Sequence, residues 1–171
     1  LAEAEQELRN FDGPIDAISG YTDFPVSTMT PILCAKFNVP GPTLESVLKS
    51  EHKYWSRLEQ RQVIPEHLPR FDTFDPFDDG ALEKIPLEFP FWIKPVKSTG
   101  SQLGFRINDK RAFKRAIGIL REKIGLFKPF DYLLDMVTLP EEVARVNSSF
   151  CVAEQIISGR QCTLEGYVRN G

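Results

Sequence analysis

The sequence predicts an α+β / α/β chain: an antiparallel sheet carrying helices on one face, preceded by the tail of a wound α/β unit. Three observations predict it. The stretch "PFWIKPVKSTGSQLGFRI", Pro90 to Ile107, reads as two strands joined by a small polar turn at 98–102. The segment after Asn108 and Asp109 then puts Phe113, Ala116, Ile117, Leu120 and Ile124 on one helical face. Finally, "CVAEQII" (151–157) and "QCTLEGYV" (161–168) read as two further strands joined by "SGR".

The remaining elements follow in order. Residues 1–11 place Ala4, Leu8 and Phe11 on one helical face. "PIDAIS" (14–19) reads as a short strand, and Gly20 opens a loop. A helix is expected over 30–37, with Pro31 in its first turn and "NVPGP" as its stop. Leu44, Val47, Leu48, Tyr54, Trp55 and Leu58 recur at helical spacing over 43–60, and Ser50 is a candidate cap for a second helix starting at Glu51. The proline-rich segment 65–90, with Asp72, Asp75, Asp78 and Asp79, reads as a connector containing one short strand near Phe71. "TLPEE" has the capping-box spacing from Thr138 to Glu141 and is expected to open a short helix.

Composition narrows the function classes. The chain has 171 residues, 42% hydrophobic and 26% charged, which suits a globular protein with a real core. A net charge of −3 argues against nucleic-acid binding by bulk electrostatics. No apolar run approaches a membrane span, and "LAEAEQELRN" lacks the basic and apolar regions of a signal peptide. The chain opens on Leu1 rather than Met, so a longer natural N-terminus is expected. Cys34, Cys151 and Cys162 form no CxxC pair and read as reduced thiols of a cytoplasmic protein.

The residues that can carry chemistry fall into two groups. Alternation puts Trp92, Lys94 and Val96 on one strand face and Ile93 and Lys97 on the other. A lysine in so apolar a strand needs a partner, because an unpaired buried ammonium is costly. A structural ion pair would satisfy it. So would a phosphate, since Ser98, Thr99, Gly100, Ser101 and Gln102 offer backbone N–H groups and hydroxyls with little bulk. The same turn also reads as an ordinary hairpin, and no GxxxxGK[ST] P-loop is present. In the second group Val152, Glu154 and Ile156 share a face, so Glu154 needs donors, such as a lysine or the amine of an adenine. Gln161, Thr163, Glu165 and Tyr167 form a polar strand face that could equally be solvated. Lys53 beside Tyr54 and Trp55, Arg160, His52 and His67 read singly as surface or packing residues.

Taken together, "EHKYWSRLEQRQVIPEHLPRF", "FPFWIKPVKSTGSQLGFRI" and "CVAEQIISGRQCTLEGYV" resemble, in order, three parts of the ATP-grasp superfamily. These are its lysine-bearing helix, its lysine strand with a phosphate-covering loop, and its nucleotide hinge. The branch most resembled contains carboxylate–amine ligases and the carbamoyl phosphate synthase large chain. The resemblance implies that Lys53 and Lys94 contact ATP phosphates and that residues 98–102 cover them. It implies that Glu154 accepts from the adenine amine, and that Gln155 and Ile157 present backbone groups to the purine. Gln161 falls where the family usually has a ribose-binding Glu. The family's Mg²⁺ ligands lie well past the hinge and are expected beyond Gly171, so the chain is expected to be part of an enzyme that is inactive alone.

The resemblance divides the chain into the end of a preceding α/β domain (1–48), a connecting helix and linker (49–87), a lid subdomain (88–157) and the start of a second subdomain (158–171). It implies ATP and Mg²⁺ as cofactors and small-molecule carboxylate and amine substrates as partners, with neither nucleic acid nor membrane. A carboxylase or kinase reaction, or a nucleotide-binding module without turnover, remains open, as does a homo-oligomer.

Overall fold

A computed structural model describes residues 1–163 and Gly166. The helices are α1 (Ala2–Asn10), α2 (Val26–Phe37), α3 (Leu44–Glu51), α4 (Lys53–Val63), α5 (Ala81–Lys84), α6 (Lys110–Lys123), α7 (Pro129–Leu134) and α8 (Glu141–Ala144). The strands are β1 (Phe71–Phe74), β2 (Phe91–Pro95), β3 (Phe105–Ile107) and β4 (Cys151–Gln155). They form one antiparallel sheet in the order β1-β4-β2-β3.

Register explains which side chains meet. Phe71 and Trp92 both lie opposite Glu154, and Lys94 lies opposite Val152, so these five share one sheet face. Phe74, Phe91, Ile93, Ile107, Cys151 and Ala153 occupy the other face and pack on Phe113, Ala116, Ile117 and Leu120 of α6. Of the two residues that precede α6, Asp109 and not Asn108 caps it, by accepting from the Ala112 N–H at 2.7 Å.

The expectation of helices on one face is corrected. The α4 helix covers part of the opposite face, where Tyr54 meets Phe71 edge-on at 6.0 Å and Arg57 reaches Glu154. Phe71 and Val152 make that face apolar as well, so it too needs a cover. A second core joins Ile32, Leu48, Trp55 and Leu58 to Phe130, Leu133, Leu134 and Val143. Helices from the first third of the chain thus share packing with α7 and α8.

Four local expectations also change. Residues 14–19 form no strand; no neighbouring strand offers a ladder there, and the segment lies instead along α2. A Cβ on Gly20 would meet Thr30 Oγ1 at 2.6 Å, so that close approach requires glycine. Helix α2 starts at Val26, after Pro25, so Pro31 is interior rather than in the first turn. The break between α3 and α4 falls at His52, not Ser50. Its ring Nδ1 accepts from the Trp55 N–H at 3.2 Å, and Nε2–H donates to the Val146 carbonyl at 2.9 Å. Thr138 makes no cap, and α8 follows Pro140 without a side-chain cap. Residues 161–163 carry no strand, and half of the strand expected over 161–168 lies outside the described residues.

Candidate functional site

Two backbone junctions assemble the site. Val96 N–H donates to the Phe150 carbonyl at 3.0 Å, and Lys53 N–H donates to the Val96 carbonyl at 2.8 Å. The first turn of α4 is thereby tied to the end of β2. Lys53 on the helix consequently meets the segment that follows Lys94 on the strand. Lys53 Nζ donates to the carbonyl and the hydroxyl of Ser98 at 3.0 and 2.9 Å.

Glu154 is buried at the centre of the site. One carboxylate oxygen accepts from Lys94 Nζ at 2.6 Å, the other from Arg57 Nε at 2.8 Å. This answers what partners Lys94 in the protein itself: Glu154, across the β2–β4 ladder. Deeper, Lys97 is buried and pairs with Glu51, whose other oxygen accepts from Ser27. The Lys97 ammonium lies 4.8 Å from the Phe24 ring centre and 5.2 Å from that of Phe130.

The electrostatics single out Lys53. Burial and then the neighbouring charges of Lys94 and Lys97 push its ammonium down to about 8. Among the described residues it forms no ion pair, whereas Lys94 and Lys97 each hold a carboxylate. An anion placed beside Lys53 would relieve this repulsion, which is the chemistry of a phosphate site.

Next to Glu154 a cleft of about 310 Å³ opens between α4, the 64–69 connector and the sheet. Arg57, Gln60, Trp92, Glu154, Gln155 and Ile157 are among its walls. It lies at the small end of the range for ligand clefts. The loop at 98–102 runs beside the lysines, with Gly100 and Ser101 exposed and in the left-handed region (φ 55° and 59°). A Cβ on Gly100 would meet nothing within 4 Å, so this part of the loop faces open space.

The structure therefore brings Lys53, Lys94, Ser98 and Glu154 together, with Gln155 and Ile157 on the adjoining cleft. Thr99, Gly100, Ser101 and Gln102 complete the loop, closed by a Gln102 N–H to Thr99 carbonyl bond of 3.0 Å. Gln155 has its backbone N–H committed to the Arg70 carbonyl at 2.8 Å, so that group is not free to meet a purine edge. Ile157 lies past the end of β4 and is 74% exposed. Gln161 is exposed and does not line this cleft. Sequence reasoning missed Arg57, Glu51 and the burial of Lys97, while His52 is the packing residue it allowed. Arg57 was findable, since it lies four residues after Lys53 and hence on the same helix face.

Among the described residues no group of three or more His, Cys, Asp or Glu side chains could hold a metal ion. Also among them, no helix is long and apolar enough to cross a membrane.

No family model matches the chain, and no curated protein matches it in sequence. Solved structures do match. The chain is similar to D-alanine-D-alanine ligase from Helicobacter pylori, with a TM-score of 0.53 and 16% identity over 75% of this chain. It also matches L-amino acid ligase from Bacillus licheniformis, with a TM-score of 0.47 and 19% identity over 77% of this chain. The chain spans 32% and 24% of the lengths of those two proteins. At such identities the likeness is one of fold alone.

Proposed function

We propose that this chain is the ATP-binding part of a ligase that joins a carboxylate to an amine. One observation carries the reading: Lys53, Lys94 and Glu154, far apart in sequence, converge beside the loop that begins at Ser98. The fold shared with D-alanine-D-alanine ligase supports it.

In this reading Lys53 and Lys94 hold the phosphates, and the 98–102 loop closes over them and excludes water. Glu154 accepts from the adenine amine, and the backbone at 155–157 faces the purine through the Gln155 carbonyl and the groups of Ile157. Gln161 is the candidate for a ribose hydroxyl. Bound ATP supplies the phosphoryl group that converts a substrate carboxylate into an acyl phosphate, from which an amine displaces phosphate. The lysines contribute charge stabilisation and positioning, which dominate phosphoryl transfer. Mg²⁺ belongs to the same proposal, as do the four-part division at residues 48, 87 and 157 and a cytoplasmic setting.

The test is product identity in the full polypeptide. ADP, phosphate and a new amide should appear together when a carboxylic acid and an amine are both supplied. ATP turnover indifferent to every acid–amine pair would reject the ligase reading. A carboxylated or phosphorylated product without an amide would assign a different reaction to the same site.

A further inference from the structure

The acceptor that an aminopurine needs is already taken. Glu154 accepts from Arg57 Nε at 2.8 Å with one oxygen and from Lys94 at 2.6 Å with the other. Arg57 is itself held in place: its Nη1 donates to Gln60 Oε1 at 2.8 Å, and Gln60 Nε2 reaches Ser56 Oγ at 3.4 Å along the same helix. Arg57, Gln60 and Glu154 all line the cleft, and the Arg57 side chain keeps 25% of its surface in contact with solvent. The guanidinium is therefore part of the cleft wall, and room exists for it to turn outward.

We propose that Arg57 sets the affinity and base selectivity of this cleft by occupying the Glu154 carboxylate, so that an aminopurine binds only when the Arg57–Glu154 pair opens. The inference rests on the reading of the cleft as a nucleotide site. Its physical basis is competition. A guanidinium and an exocyclic amine are both donors, and they seek the same carboxylate. A binding-competent state that is only partly populated lowers apparent affinity by its population. Lys94 does not compete in this way, because a phosphate can draw it from Glu154 while the adenine amine replaces it. Arg57 also bears on base choice. A 6-oxopurine turns a carbonyl toward the same place, where a guanidinium suits it and a bare carboxylate repels it.

The test compares ATP and ITP binding by titration calorimetry to the full polypeptide, in wild type, Arg57→Gln and Gln60→Leu. Arg57→Gln should bind ATP tighter by about threefold or more, with no gain for ITP, so that the ATP-to-ITP preference widens. Gln60→Leu leaves the guanidinium in place but removes its anchor, and should shift ATP affinity the same way by less. A merely structural pair would give the opposite sign, weakening both nucleotides together. Unchanged or weaker ATP binding in Arg57→Gln, or an ATP-to-ITP ratio that does not move, would overturn the inference while leaving the nucleotide site intact. Binding of neither nucleotide by any of the three proteins would instead remove the site reading, and this inference with it.

Discussion

At the scale of single residues, the site is a set of cations held unequally. Lys94 and Lys97 have carboxylates, and Lys53 has only Ser98. Lys53 is depressed to about 8 by burial and by those two neighbours, so its proton is lost between pH 8 and the usual lysine range, where an unfolded chain still holds it. Over that window the empty protein should gain stability as pH rises. Nucleotide affinity should move the other way, because phosphate needs the charged form. Lys53→Met is accordingly expected to leave the empty fold as stable or more so, while weakening ATP about tenfold or more. Thermal melts and titration calorimetry from pH 7 to 10 check both signs. A parallel loss of stability and binding would contradict this account. The apolar strand around Lys94 shows from sequence alone that a partner is needed. Glu154, which needs donors, is already a candidate partner in the sequence, and Arg57 is legible as a neighbour of Lys53 at i, i+4; that the three meet depends on β2–β4 register, which is a long-range fact.

At the scale of elements, the sheet and its main helix were legible and their boundaries less so. The α6 pattern and the Asp109 cap follow from 3.6-residue periodicity and local capping chemistry, which need no tertiary information. Asp109→Ala should cost about 1 kcal/mol in denaturant unfolding, with nucleotide binding unchanged, because Asp109 does not line the cleft. The misplaced start of α4 has a different origin. His52 caps it only because its ring is also buried against Val146, 94 residues away in sequence, and burial keeps that imidazole neutral by pushing its protonation downward. Residues 14–19 have strand-like composition but no strand beside them, so α2 rather than a sheet decides their path. The β3 strand is short for a related reason: the chain spends Ser101 and Leu103 in left-handed turns before it can pair with β2.

At the scale of the whole molecule, two cores lie on either side of the site. The sheet–α6 core and the helical core around Trp55 and Phe130 are bridged by a smaller cluster of Val96, Val146 and Val152. Phe130 is fully buried and packs beside both His52 and Lys97. Phe130→Ala should cost about 3–5 kcal/mol and should lower the melting of helix and sheet signals together. Separate transitions by circular dichroism and Trp fluorescence would mean that the two cores fold independently.

The central claim is that the face carrying Lys53, Lys94 and Glu154 binds ATP. Its most direct measurement is the ATP dissociation constant of the wild-type polypeptide beside that of Lys94→Ala, with folding verified by thermal melt. Lys94→Ala leaves Glu154 paired to Arg57, so the fold should hold. The account predicts ATP binding by the wild type and a loss of about tenfold or more in the variant. Equal binding by both, or no binding by a folded wild type, would contradict it.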